Sequence, residues 1–228
     1  MRSPETAVEM QEKKFEIPSG VERAVLMIRH SVAPKTGTDG NKTLTLDGMY
    51  LCEAVREFYQ SLVCDISVSL NVPTASYHCS TFPRSMMTAW EIFRVPNIQA
   101  EESLKVWVSL MSIDGGAWAK AQMAAGKNEP TMIREFLGDQ GVSLWTADFD
   151  DYQRNYTEFI LGNVGSEEAR RAKFVVATCH EAGISLAAAG CLLENELGLN
   201  NCEAVLFYVS GGYVVGAEKI VPGKASAR

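Results

Sequence analysis

No stretch of this sequence approaches eighteen uninterrupted apolar residues, so a transmembrane helix and a membrane partner are not expected. Met1 to Gly20 is polar and charged and has no apolar signal-peptide core. It reads as a flexible N-terminal lead-in (1–20) to one domain over 21–228. An excess of positive charge is missing too: 21 Lys and Arg face 28 Asp and Glu, a formal charge of −7. That excludes the basic face needed for general nucleic-acid binding but leaves room for a local pocket that takes a small anion. None of the six cysteines (Cys52, Cys64, Cys79, Cys179, Cys191, Cys202) forms a Cys-x-x-Cys pair, and most stand in apolar runs. This argues against a disulfide framework or a zinc site and for buried, reduced thiols in a cytoplasmic protein. Internal repeats and low-complexity segments are absent. Histidine is scarce, with only His30, His78 and His180, so the place of each one carries weight.

The remainder is ordinary for a globular chain, with 46% hydrophobic and 21% charged residues over a length that supports a substantial core. Val25 to Ile28 is a continuous apolar run that ends on Arg29 and His30, and a Pro/Gly/Thr/Asp-rich loop from Pro34 to Thr43 follows. The run predicts a buried, parallel strand over about 24–29, whose carboxyl end is where open α/β sheets bind ligands. Thr45 is a plausible N-cap for a helix up to about residue 63. A short strand at 75–79 leads through Pro83 into a helix that carries Arg84 in its first turn, where free N–H groups favour an anion. Residues 95–110 predict a third strand and its loop. Gly115 to Leu161 reads as a cap, within an insertion over about 100–165, with helical segments near 116–125, 130–137 and 148–161. Phe174 to Cys179 is a second apolar run, and it ends on His180 and Glu181 before a small-residue helix over 185–196. Ala204–Val209 and Tyr213–Ala217, joined by Ser210-Gly211-Gly212, predict a strand pair. Alternating strands and helices indicate α/β with a largely parallel sheet. The Gly37 to Thr43 loop does not make a phosphate-cradling P-loop, since no glycine directly precedes Lys42.

Two apolar strands thus end on histidines, and a third feeds an arginine at a helix start. Arg29 reads equally well as the partner of a buried carboxylate, with His30 a hydrogen-bonded turn residue. Brought to one sheet edge, however, two Arg, two His and a carboxylate suit phosphoryl transfer. Guanidinium groups bind phosphate oxygens bidentately, and a neutral imidazole is a nucleophile towards phosphorus. A nearby carboxyl would protonate the leaving oxygen and later activate water. No metal cluster or cofactor motif stands out in the sequence.

Arg29-His30, Leu44-Thr45-x-x-Gly48, Ser80-x-x-x-Arg84-Ser85-x-x-Thr88-Ala89 and the strand ending at His180 together resemble the histidine phosphatase superfamily, the phosphoglycerate-mutase-like group. The resemblance implies a three-layer α/β/α sandwich with a helical cap insertion. It implies His30 as the phosphorylated nucleophile, and Arg29, Arg84 and His180 as phosphate-binding residues. Three departures stand out. Ser31 replaces the usual glycine of the Arg-His-Gly motif, so that its hydroxyl donates to phosphate or the turn takes a different shape. Thr36 stands where many members carry asparagine. The usual acid position after the second arginine reads Leu104 to Val108, flanked by Glu101, Glu102 and Asp114. Glu181 is therefore the expected acid, resembling the His-Asp pair of the acid-phosphatase branch, with Glu102 second and no acid at all as the third alternative. The implied activity is a metal-independent phosphatase acting on a small phosphomonoester. The rivals are a phosphohistidine or phosphoramidate phosphatase, and a diverged phosphate-binding module. Cys79, Cys179 and His78 read as packing residues, and Trp107, Trp118 and Trp145 as aromatic packing beneath the cap.

Overall fold

The computed structural model describes residues 15–34, 42–104, 125, 146–189 and 199–223. In chain order these form β1 (Arg23–Arg29), α1 (Leu46–Ser69), β2 (Ser76–Ser80), α2 (Pro83–Phe93), β3 (Gln99–Glu101) and a 3-10 turn (Glu102–Leu104). They continue through α3 (Thr146–Leu161), α4 (Glu167–Arg171), β4 (Phe174–Cys179), α5 (Glu181–Ala189), β5 (Ala204–Ser210) and β6 (Tyr213–Ile220). The six strands make one sheet in the order β3-β2-β4-β1-β5-β6. The pairs β3-β2, β2-β4 and β4-β1 are parallel, whereas β1-β5 and β5-β6 are antiparallel. The class is the mixed, mostly parallel α/β sheet that the alternation of apolar runs predicts.

Strand side chains alternate between faces, so the central strands must be apolar on both. Ala24, Leu26 and Ile28 enter one core with Val176, Leu206 and the inner faces of α1 and α2. Val25 and Met27 enter the other with Ala177, Phe207, Tyr156 and Phe159 of α3, and Ile184 of α5. Two cores with helices outside them make the three-layer sandwich. Each fully buried aliphatic side chain contributes about 1.5–3 kcal/mol, which is why β1, buried along nearly its whole length, sits at the centre.

Several boundaries differ from the sequence expectation. α1 runs six residues past 63, because Ile66 and Ser67 continue its buried face, and it stops only where Asn71 takes a positive φ of 52°. The third strand shrinks to three residues before the chain tightens into the 3-10 turn. α5 opens at Glu181 rather than Ser185. The lead-in is partly docked: Phe15 donates its amide to Asp65 at 3.1 Å, and Phe15 and Ile17 pack on the α1 core. The helical segments expected at 116–125 (apart from residue 125) and 130–137, most of the cap, and Thr36, Trp107, Asp114, Trp118, Trp145 and Cys191 lie outside the described residues.

Arg23, at the amino end of β1, is held by main-chain carbonyls. Its guanidinium donates to those of Ile160 (2.9 Å), Ala169 (2.8 Å) and Ala172 (2.6 Å), with Phe159 and Arg170 further out. One side chain thereby satisfies the exposed carbonyls at the ends of α3 and α4 and sits on the negative ends of their dipoles. Burial lowers its pKa to about 10, so it remains charged.

The motif Leu44-Thr45-x-x-Gly48 fixes how α1 meets the end of β1. Thr45 caps α1 by accepting from the Gly48 amide at 3.1 Å, and its own amide donates to Val32 O at 3.0 Å. A Cβ on Gly48 would lie 2.3 Å from that same Val32 carbonyl. Backbone is on both sides of this contact, so no side chain can move aside. Gly48→Ala is therefore expected to destabilise the fold by about 1–3 kcal/mol, read as a lower urea midpoint at unchanged slope, and an unchanged midpoint would refute the contact.

Candidate active site

β1 and β4 lie side by side and parallel, with Arg29 paired to Cys179. The next residues, His30 and His180, therefore leave the sheet together, and the His30 amide donates to Cys179 O at 2.9 Å. After β1 the chain runs to α1 on one face of the sheet, and after β4 to α5 on the other. The crevice between these two strand ends is the topological switch point at which α/β sheets bind ligands. The two imidazole centroids stand 5.2 Å apart, with their planes inclined at 66°.

Arg84 joins them from the first turn of α2, where Pro83 takes the position that needs no N–H. Its Nε donates to His30 Nε2 at 3.1 Å, and its Nη2 lies 3.4 Å from His180 Nδ1. The guanidinium also stacks 4.9 Å from the Phe82 ring centre, which in turn stands edge-on to His180. Arg84 is only 6% exposed, so the aromatic face and the imidazoles hold its charge in one place.

Donor and acceptor rules set the tautomers. His30 Nδ1 lies 2.7 Å from the carbonyl of Ser31, which only accepts, so Nδ1 carries the proton. The lone pair is then on Nε2, the nitrogen that faces Arg84. Nη2 of Arg84 only donates, so His180 carries its lone pair on Nδ1 and its Nε2–H donates to Ser80 Oγ at 2.9 Å. Burial, and then the charges that His30, Arg84 and Arg29 can set against a second cation, hold the pKa of His180 well below the ordinary histidine value. Two neutral imidazoles thus flank a fixed guanidinium, an arrangement whose charge is satisfied by an anion.

Arg29 stands beside this group and answers both readings of its strand. Nη1 donates to Leu199 O and lies 4.0 Å from Glu181 Oε2. Glu181 is 1% exposed, and its other oxygen lies 3.4 Å from the Leu199 amide and the Ser185 hydroxyl. The carboxylate expected to serve as the acid is therefore a buried partner of Arg29, because opening α5 at residue 181 turns it inward against the Leu199 segment. Glu102 is exposed and follows β3 at the same carboxyl edge, one residue beyond the Ser80–Glu101 register pair. Ser31 does not offer its hydroxyl to the crevice. That hydroxyl donates to Gly48 O at 2.7 Å, and the Ser31 amide donates to Thr88 Oγ1 at 2.9 Å. Its motif position is thus spent on joining β1, α1 and α2. Asn201, absent from the sequence-derived set, donates to His30 O at 2.9 Å. Its only signal in the sequence is its place just before the β5 run.

His78, expected as a packing or rim residue, is 1% exposed and tightly hydrogen-bonded. Nδ1 meets Glu101 Oε1 at 2.8 Å and Nε2 meets Ser76 Oγ at 2.6 Å, and the Ser76 hydroxyl also reaches Glu168. Burial pushes the Glu101 carboxyl up, but hydrogen bonds from His78 and from the Ser166 hydroxyl and amide outweigh it, leaving a lowered pKa. This group ties β2, β3 and α4 together, and it explains why Glu101 is not a solvent-facing acid. Among the described residues no three His, Cys, Asp or Glu side chains converge as metal ligands, and no helix is long and apolar enough to cross a membrane.

No protein-family model matches the chain, and no curated protein matches it. Solved structures do. Phosphoglycerate mutase from Bacillus anthracis str. Sterne superposes with a TM-score of 0.63 at 13% identity, covering 88% of this chain and 94% of that one. Phosphoserine phosphatase from Entamoeba histolytica, in complex with 3-phosphoglyceric acid, gives 0.55 at 15% identity, covering 86% and 96%. Bacillus stearothermophilus YhfR gives 0.53 at 15% identity, covering 85% and 95%. The chain has the phosphoglycerate mutase-like fold.

The low pKa of His180 has a consequence for stability. The unfolded chain binds a proton near the ordinary value of about 6.5, while the folded chain resists it. Stability is therefore full above that pH and falls as the pH drops below it, until the folded His180 also protonates. Urea midpoints are expected to fall between pH 7 and pH 5 in the wild type and to fall less in His180→Asn. Parallel curves for the two proteins would contradict the assignment.

Proposed function

We propose that this protein is a metal-independent phosphatase that hydrolyses a small phosphomonoester through a phosphohistidine at His30. The observation that carries the proposal is the fixed tautomer of His30. Its Nδ1–H is held by Ser31 O, and its Nε2 lone pair faces the Arg84 guanidinium. A phosphoryl group at that crevice exchanges its oxygens for the imidazoles as acceptors of the Arg84 N–H groups. His30 Nε2 attacks phosphorus, the P–O bond to the leaving group breaks, and the departing oxygen takes a proton. Water then cleaves the P–N bond, which releases phosphate and restores His30. Arg84, with Arg29 and His180 beside it, spreads the charge that develops on the equatorial oxygens. A complex of a structural neighbour with 3-phosphoglyceric acid supports a small phosphorylated substrate. Free thiols support a reducing, cytoplasmic setting, without a membrane or nucleic-acid partner.

In this proposal Glu181 is a positioning residue for Arg29, and Glu102 is the carboxyl that stands exposed at the right edge. A second reading follows from that buried Glu181. A phosphohistidine or other phosphoramidate needs less help from an acid placed in the protein, so the same site would serve it.

A panel of phosphomonoesters and phosphoramidates, assayed with mass-spectrometric trapping of the acid-labile phosphoenzyme, tests both. His30→Ala is expected to abolish turnover and phosphoenzyme together, and turnover that survives would overturn the mechanism. Glu181→Gln is expected to raise KM with an unchanged pH profile, whereas loss of the pH-dependent limb of kcat would restore it as the acid. Glu102→Gln is expected to lower ester turnover by about 10²-fold, the lower end of a general acid's contribution. Phosphate binding without any turnover would leave the diverged binding module as the answer.

A further inference from the structure

At the amino end of the sheet, away from the crevice, a serine, a histidine and a glutamate stand in line. Ser76 opens β2 and Ser80 closes it at the crevice, so these two positions lie about 13 Å apart by the rise of a strand. Ser76 and His78 alternate with Tyr77 and so share one face of β2. Ser76 Oγ lies 2.6 Å from His78 Nε2, and His78 Nδ1 lies 2.8 Å from Glu101 Oε1 on β3. Ser166 fixes that carboxylate by donating from its hydroxyl (2.6 Å) and its amide (2.9 Å). Phe159 of α3 meets the imidazole edge-on, with ring centroids 6.1 Å apart. Glu101 is ionised: burial raises its pKa, but the bonds from His78 and Ser166 outweigh burial. It therefore accepts from Nδ1–H, the neutral ring keeps its lone pair on Nε2, and Ser76 donates to that nitrogen. Hydroxyl, base and orienting carboxylate stand here in the order of an activated nucleophile.

Tying β2, β3 and α4 together does not require an opening to solvent, yet this group has one. His78 and Glu101 are buried, whereas Ser76 lines an open depression of about 700 Å³ together with Thr74, Gln99, Glu168, Arg171 and Lys173. Glu168 Oε1 is a second acceptor for the Ser76 proton, at 3.1 Å, and its other oxygen accepts from Gln99 Nε2. A carboxylate this close to the hydroxyl repels an anionic substrate, which sets the depression apart from the anion-binding crevice.

We propose that Ser76, His78 and Glu101 form a second nucleophilic site, which hydrolyses an uncharged carboxylic ester. Ser76 Oγ attacks the carbonyl carbon while its proton passes to His78 Nε2. The C–O bond to the leaving group breaks, and the departing oxygen takes that proton as an alcohol. Water then adds to the acyl-serine and gives a proton to Nε2. The acyl C–Oγ bond breaks, the carboxylic acid departs, and Ser76 recovers its proton from His78. Glu101 holds the ring in place and offsets its positive charge in both halves of the reaction. Arg171 and Lys173, which line the depression, supply positive charge for the tetrahedral oxygen. No step uses His30, Arg84 or His180, so the site stands independently of the phosphatase reading.

The experiment treats the full chain with an alkyl fluorophosphonate, maps the adduct by peptide mass spectrometry, and assays p-nitrophenyl butyrate in parallel. A phosphonyl adduct on Ser76, formed as the P–F bond breaks and fluoride leaves, is expected. Ser76→Ala should lose both the adduct and ester turnover, and His78→Gln should slow labelling by about 10²-fold. Saturating inorganic phosphate, which the crevice would hold, is expected to leave labelling of Ser76 unchanged. If either variant fails to fold, the adduct map of the wild type decides the question, since it needs no substitution. A wild type that stays unlabelled, or an adduct confined to other residues, would overturn the proposal. So would ester turnover undiminished in Ser76→Ala, or labelling that phosphate blocks. Absence of phosphomonoester turnover overturns the phosphatase reading alone, because the adduct map does not depend on it.

Discussion

Everything at the crevice depends on one register, the parallel pairing of β1 with β4 that sets Arg29 opposite Cys179. From it follow the adjacency of His30 and His180, the bond from the His30 amide to Cys179 O, and the place where Arg84 can touch both rings. The register is itself imposed by burial. Both strands are apolar along their length, and a shift of one residue would carry each side chain to the opposite core. The hydrophobic effect thus aligns two strands, and the alignment creates an electrostatic site that no pair of those residues would form alone.

Polar groups then decide what the site can do. A neutral imidazole can present either nitrogen, and here main-chain and side-chain partners remove the choice. Ser31 O fixes the proton of His30, and Ser80 Oγ takes that of His180. The serine that replaces glycine in the motif is consistent with this, since its carbonyl orients the His30 ring while its hydroxyl satisfies Gly48 O. Arg29 shows the complementary solution for a charge: a carboxylate on the next strand's helix and a carbonyl from the segment before β5 hold it.

The fold and the positions of His30, Arg84 and His180 were legible because they depend on local signals. Unbroken apolar runs announce buried strands, and the residue that ends such a run is at the sheet edge by construction. The second carboxylate was not legible in the same way. Whether Glu181 faces the crevice or the core turns on where α5 begins, four residues before the expected start, and on a segment at Leu199 remote in the sequence. The His78–Glu101 pair and the Arg23 cap were hidden for the same reason, since each joins residues whose partners are chosen by packing. The length of α1 was underestimated because its buried face continues through Ile66 and Ser67, and β3 takes only three residues of the 95–110 stretch expected to hold a strand and its loop.

Arg23 and His30 stand at opposite ends of the same strand, and this gives β1 a property that neither residue has alone. A slip of β1 by one position would pull the guanidinium out of its ring of carbonyls and leave the ends of α3 and α4 uncapped. The same slip would take the imidazole off Arg84. The strand is therefore proofread at both ends: misalignment is penalised at the scaffold edge by orphaned carbonyls, independently of anything that binds at the other. A chain built in this way has its crevice edge aligned before any ligand arrives, because a shifted strand would already orphan the carbonyls at the far edge.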